Sequence, residues 1–216
     1  MIARLLPSKN QSVNCDEFLK QLAKAGFRGD IAHSYGQRTV LATDNSIYQR
    51  LPQAAVFPVD AQDVVILATL AADPAHRSIV LTPRGGGTGT NGQSLTDGVV
   101  VDLSRHMNTI LEINAEERWV RVQSGVVKDQ LNAALKPYGL FFAPELSTSN
   151  RATIGGMINT DASGQGSCTY GKTRDHVLGL STVLLGGELL HSAAIEKASL
   201  EQEAARLDRI GEVYRC

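Results

Sequence analysis

Disulfide and zinc chemistry lack the residues they need in this chain. Its three cysteines, Cys15, Cys168 and Cys216, are an odd, widely spaced set without a C-x-x-C pair, which speaks against a disulfide framework or a thiolate zinc site. His33, His76, His106, His176 and His191 are equally scattered and read as surface or structural residues rather than metal ligands. An excess of one charge is missing too. Twenty-one Lys and Arg against 22 Asp and Glu leave a formal charge of −1, so nothing calls for nucleic acid or an anionic membrane surface as partner. The longest apolar stretch, around residues 64–72, is too short to span a bilayer. Only Arg4 and scattered apolar residues precede Pro7, so no signal peptide is evident, and the expected location is cytoplasmic.

What the chain does have is glycine in one place. Five of its 20 glycines fall between Arg84 and Gly92, in Pro83-Arg84-Gly85-Gly86-Gly87-Thr88-Gly89-Thr90-Asn91-Gly92. The aliphatic run Ile79-Val80-Leu81 before it reads as a buried strand. Glycine costs backbone entropy, so such a cluster implies main chain lying close against something. Successive N–H groups without Cβ atoms can converge on an anion. At about 1.5–3 kcal/mol per hydrogen bond to a charged group, three or four could hold a pyrophosphate. A glycine-rich surface turn is the plainer alternative.

Two familiar fingerprints match literally and fail in context. Gly87 to Gly92 satisfies G-x-G-x-x-G, but the dinucleotide-binding version needs a helix after its last glycine. Here a polar stretch with an Asp97-Gly98 turn leads straight to Val99-Val100-Val101-Asp102-Leu103, another strand. Gly166 to Thr173 satisfies G-x-x-x-x-G-K-[ST], yet no aliphatic strand precedes it and the strand-like Val177–Leu185 follows. A true P-loop joins a buried strand to a helix. Lys172, Arg174 and His176 therefore read as a solvated polar face.

At 216 residues, with 43% hydrophobic and 20% charged residues, the chain suits one large domain or two small subdomains. Helices are predicted over 16–25 (ending at Gly26), 60–72 (capped by Asp60), 127–136 and 193–210. Strands are predicted at 54–57, 79–81, 99–103, 110–113, 119–122 and 177–185, with a hairpin around Asn114–Arg118. Trp119 is expected in the core. The order is α+β: a small βαβ unit, then mostly antiparallel strands.

A second segment identifies the relationship. Pro144-Glu145-Leu146-Ser147-Thr148-Ser149-Asn150-Arg151-Ala152-Thr153-Ile154-Gly155-Gly156 is followed by Asn159-Thr160-Asp161-Ala162-Ser163-Gly164, then by Tyr170 to Leu180. With Pro83–Gly92, this resembles the FAD-binding domain of the vanillyl-alcohol oxidase / p-cresol methylhydroxylase superfamily, most closely the bacterial FAD-linked D-2-hydroxyacid dehydrogenases of D-2-hydroxyglutarate type. The resemblance runs from about Asp44 to Leu190. It implies a small parallel βαβ subdomain and a mostly antiparallel sheet subdomain with flanking helices. Residues 1–43 would be a helical lead-in, 44–190 the FAD-binding domain, incomplete at its C-terminal end, and 191–216 a helix leading to a substrate domain.

By the same resemblance the pyrophosphate would rest on Arg84, Gly85, Gly86, Gly87, Thr88 and Gly89, with Asn91 and Gly92 beside it. Leu146, Ser147, Asn150 and Thr153 would run toward the flavin end, and Gly155 and Gly156 would let the backbone pass the cofactor. Asp161, Ala162 and Gly164 would continue the cradle, and Val177 would lie near the adenosine part. Asp161 and Ser163 depart from the usual Asn and Gly. A carboxylate beside pyrophosphate is unfavourable unless it points away or meets a ribose hydroxyl, and a turn-forming role for Asp161 is the alternative.

The implied chemistry is hydride transfer from a D-2-hydroxy acid, such as D-2-hydroxyglutarate or D-lactate, to flavin, with a downstream electron acceptor. No catalytic base can be named within these residues. The 216 residues alone are expected not to turn over substrate, and any iron–sulfur cluster is expected beyond them. A homo-oligomer is compatible with the open sheet edge expected at the C-terminal end. The competing reading is a non-catalytic nucleotide-binding or assembly module that kept the fold.

Overall fold

A computed structural model describes residues 13–216; the signal-peptide reading of the first seven residues lies outside them. The chain begins with α1 (Val13–Lys24), β1 (Asp30–Ala32), α2 (Tyr35–Val40), β2 (Ala54–Phe57) and α3 (Ala61–Ala71). Strands β3 (Leu81–Arg84) and β4 (Val99–Asp102) complete a four-stranded sheet in the order β1-β2-β4-β3. Strands β2, β4 and β3 run parallel, and β1 is antiparallel on the edge beside β2.

The central strands are apolar on both faces because helices and loops cover both sides. Ala54, Val56, Val99 and Val101 pack with Phe18, Leu19 and Leu22 of α1 and Leu67 of α3. Ala55, Phe57 and Val100 pack on the other face with Ala32 and Leu41. α3 starts where Asp60 accepts hydrogen bonds from the amides of Gln62 and Asp63 at 3.0 and 3.2 Å. The predicted strand at 79–81 is displaced: β3 runs through Pro83 and Arg84. Proline is tolerated there because β3 is an edge strand.

Strands β3 and β4 are parallel neighbours in space and consecutive in sequence. Their connection must therefore return from one end of the sheet to the other, a task usually given to a helix. Here residues 85–98 cross as turns and bends without one. This connection is the glycine loop.

The second half builds a separate core. β5 (Ile110–Asn114) and β6 (Trp119–Val122) form the predicted hairpin, packed with α4 (Lys128–Leu135) and α5 (Ile154–Asn159) around Val126, Leu131, Ile154 and Met157. Trp119 is only half-buried, because its indole N–H donates to Glu117 at 2.6 Å near the hairpin turn. A one-turn helix, α6 (Ser167–Tyr170), precedes the antiparallel pair β7 (Gly179–Val183) and β8 (Leu189–Ala193). The helix predicted over 193–210 is two, α7 (Lys197–Ala204) and α8 (Arg209–Arg215). Asp208 interrupts it by capping α8 through the Gly211 amide at 3.0 Å while pairing with Arg206. Among the described residues no helix is long and apolar enough to cross a membrane.

Candidate functional site

The glycine loop leaves β3 and at once meets the start of α5. A Cβ at Gly85 would overlap the Thr153 side chain, and one at Gly86 would overlap the Arg151 carbonyl. Two glycines are therefore needed for backbone to pass against backbone. The partner segment is itself braced. Thr153 pairs with Val127 in an isolated bridge, the Lys128 amide donates to the Ala152 carbonyl at 3.0 Å, and the Asp129 amide donates to Ser149 at 3.2 Å. Loop, helix start and the strand-like segment before α4 thus meet at one seam between the two cores.

Beyond that seam the loop exposes unpaired donors. None of the amides from Gly85 through Thr90 donates a hydrogen bond to another described residue. The segment is half-buried from Gly85 to Gly89. Six consecutive N–H groups without an acceptor among the described residues leave a row of donors open to water or to a ligand. Asn91 differs, because its amide is taken by the Gln93 side chain at 3.1 Å. Gly92 is half-buried with φ +72°, against the Tyr48 ring.

Arg84 stands beneath this run. Its guanidinium donates to the Thr43 carbonyl at 2.8 Å and to the Ser94 hydroxyl at 3.3 Å. It lies so near Gly87 that a Cβ there would come within 2.5 Å of Nη2. Burial lowers the affinity of this guanidinium for its proton, and the charges of Asp102 and Asp44 oppose that effect. It remains a cation at any ordinary pH. Partial burial pushes the Asp44 carboxyl up, but hydrogen bonds from Ser46 and Ser94, with Arg84 nearby, outweigh it and hold the group below the usual aspartate range.

The segment singled out after Pro144 sits on the same seam. Leu146 packs into the second core. Ser147 and Asn150 are exposed, and neither side chain has a partner among the described residues. At α5 the donors are already used. The Gly155 amide bonds Ser124 at 2.8 Å, the Ile154 amide bonds Val126 at 2.8 Å, and the Gly156 amide reaches the Thr153 hydroxyl at 3.3 Å. Gly155 is required by Ser124, whose Cβ would lie 2.7 Å from an added methyl. The free donors are on the glycine loop, not at this helix terminus.

Asp161 adopts φ +44°, a left-handed conformation that Asp tolerates better than most residues. Its carboxylate points to Arg174, with Nε at 3.1 Å and the backbone amide at 3.2 Å, and to Lys172 Nζ at 3.9 Å. Its charge is thereby matched within its own turn. Ala162 is tied to Thr173, whose hydroxyl donates to the Ala162 carbonyl at 2.6 Å. Gly164 lies against the Glu145 carbonyl, with no room for a side chain. Val177 ends the helical turn at Thr173–His176, its amide on the Arg174 carbonyl at 3.3 Å; it shares no hydrogen bond with the glycine loop. Thr43, Asp44 and Ser94 contact the glycine loop directly or through Arg84, Ser124 lies against Gly155, and none of the four stood out in the sequence. The only signal for Thr43 and Asp44 was the polar turn Thr43-Asp44-Asn45-Ser46.

The FAD binding domain family matches residues 52–193. The chain belongs to that family. Its fold is that of the vanillyl-alcohol oxidase / p-cresol methylhydroxylase type, and its cofactor is FAD. The chain is 74% identical over 215 residues to a D-2-hydroxyglutarate dehydrogenase of Pseudomonas putida, covering 100% of this chain and 21% of that protein. It is 60% identical over 197 residues to the D-2-hydroxyglutarate dehydrogenase of Escherichia coli, covering 91% of this chain and 19% of that one. The chain therefore spans about a fifth of the length of these relatives. Among solved structures, alkyldihydroxyacetonephosphate synthase superposes with a TM-score of 0.73 at 24% identity, over 91% of this chain and 38% of its own. That likeness speaks for the fold alone.

Proposed function

We propose that this FAD-binding domain holds the cofactor non-covalently, with the pyrophosphate on the amides of Gly85 to Thr90. The observation that carries the assignment is the run of six N–H groups without acceptors among the described residues, five of them on half-buried residues held by Arg84 and the seam with α5. A diphosphate would satisfy the donors that folding leaves open, and Arg84 adds positive potential below them. Ser147 and Asn150 supply exposed polar side chains on the neighbouring turn, toward the flavin end. Gly155, Gly156 and Gly164 serve close packing, and Asp161 shapes a turn with its carboxylate on Arg174.

The enzyme to which the domain contributes is read as an FAD-linked dehydrogenase of a D-2-hydroxy acid, D-2-hydroxyglutarate foremost, on the strength of the relatives' names. Bound flavin supplies hydride acceptance at N5. This chain's residues fix the diphosphate end and so set where the ring system lies. They offer backbone amides and one guanidinium, which orient without exchanging protons at neutral pH. A downstream electron acceptor, a cytoplasmic location, and a division into a lead-in over 1–43, a cofactor domain over 44–190 and a C-terminal extension over 191–216 complete the proposal.

The test is a titration of purified apoprotein with FAD, following quenching of flavin fluorescence, alongside FMN and riboflavin. Preference for FAD over both is expected. Equal binding of riboflavin would remove the diphosphate from the assignment. Substrate class is tested separately, in a protein of the relatives' full length, by anaerobic bleaching of flavin with D-2-hydroxyglutarate against its L enantiomer.

A further inference from the structure

The glycine loop is held from outside by a segment that the functional reading does not use. Four contacts join residues 43–48 to residues 84–94. The Thr43 carbonyl accepts from Arg84 at 2.8 Å. The Asp44 carboxylate accepts from the Ser94 hydroxyl at 3.1 Å, and the same hydroxyl accepts from Arg84 at 3.3 Å. The Asn45 amide donates to the Gly87 carbonyl at 3.1 Å. Tyr48 lays its ring against Gly92. The other Asp44 oxygen accepts the Ser46 amide at 2.8 Å, which folds the segment into a turn and aims its carbonyl and amide groups at the loop.

These contacts fall where a glycine loop needs them. A stretch with three glycines in succession loses more conformational entropy on ordering than any other composition, and here its own amides form no internal hydrogen bonds that would hold it. Its fixed points are the seam with α5 on one side and the 43–48 segment on the other. Ser94 is buried, and the link it makes between Asp44 and Arg84 is partly buried. We infer that Asp44 is a positioning residue for cofactor binding: through Ser94 and Arg84 it holds the Gly85–Thr90 amides in the arrangement that receives a diphosphate.

The inference rests on the FAD assignment above, and its test separates the two. In apoprotein, hydrogen exchange at the Asn45 amide reports the strap without any ligand. Asp44→Ala should speed that exchange at least tenfold, and unchanged exchange would overturn the inference whatever the protein binds. With FAD as the probe, Asp44→Ala and Ser94→Ala should each weaken affinity about tenfold. The double variant should lose little more than either single one, because the two residues act as one link. Asp44→Asn retains an oxygen for the Ser46 amide and an N–H for the Ser94 hydroxyl, and should restore affinity to within about threefold. Asp73→Ala controls for stability. It removes the cap of the helical turn at Pro74–His76, before β3 and at the far end of that strand from the loop, and should lower the melting temperature while leaving FAD affinity unchanged. Wild-type affinity in Asp44→Ala, or equal loss in Asp73→Ala, would reduce the strap to a general stabilising contact. Absence of FAD binding in the wild-type chain would instead count against the cofactor site, with Asn45 exchange still deciding on the strap.

Discussion

Thr153 fills the volume that any side chain at Gly85 would need. The same hydroxyl caps α5 by accepting the Gly156 amide, so one side chain closes the loop on one side and starts a helix on the other. Gly85, and Gly86 against the Arg151 carbonyl, thus answer to the protein's own packing before any ligand arrives.

Substitution at Gly86 follows from this. A β-branched residue in a phosphate cradle is expected to obstruct the anion's path. In the fold its Cβ would strike the Arg151 carbonyl instead. Gly86→Val should therefore lower stability by about 1–3 kcal/mol, the usual cost of overpacking, and abolish FAD binding as the seam separates. Urea midpoints without flavin, compared with FAD titrations, check both effects. A variant that loses FAD at full stability would restore the simpler explanation.

Thr153→Val keeps the shape that Gly85 requires and removes only the hydroxyl. The expected cost is about 0.5–2 kcal/mol, that of a lost N-cap, with Thr153→Ser recovering most of it. Chemical denaturation of the three proteins measures it. No difference between valine and threonine would mean that the 3.3 Å contact to Gly156 contributes nothing.

ATP should not bind through the Gly166–Thr173 pattern. Thr173 is fully buried, and its hydroxyl is committed to the Ala162 carbonyl at 2.6 Å, so it cannot serve a magnesium ion. Lys172 stands exposed between α6 and the next turn. Calorimetry with magnesium–ATP should show no heat above dilution, and Lys172→Ala should change nothing. A tight signal lost in that variant would revive the P-loop.

The thiols should divide by burial. Cys15 is buried in the first core, while Cys168 and Cys216 are exposed. Burial first, then the neighbouring Asp16 charge, pushes the Cys15 thiol up to about 11. Aromatic disulfide reagents should label two thiols in the native protein and the third only on unfolding. Because the folded value is raised, the contribution is fully present below the unfolded thiol's pKa of about 8.5. Stability should fall as pH rises from there toward 11, and Cys15→Ala should flatten that decline. Equal labelling of all three cysteines in native protein would contradict the packing of α1.

Much of the fold was legible because period and punctuation agreed. β2 and the Val99–Val101 part of β4 are apolar runs, as strands covered on both faces must be, and Asp60 marks the start of α3 as its side chain suggests. β3 was misplaced because Pro83 and Arg84 carry little strand propensity, and only pairing with Val101 and Asp102 makes them a strand. β1 and α2 are too short to show a period. In the site, the glycines and Thr153 announce themselves. Arg151, Ser124 and Thr43 take part through backbone atoms or close approach, which leaves no trace in residue type.

Gly85 and Thr153 belong to opposite halves of the polypeptide, and so do the two cores they join. Contacts so distant along the chain close late, since the entropy of the intervening loop must be lost first. Each half can condense around its own apolar centre before the two are zipped together. Interactions absent from the rate-limiting barrier slow escape from the native state without hastening arrival there. A cofactor seated on this junction would accordingly act as a latch, lengthening the lifetime of the folded protein while leaving the speed of its formation untouched.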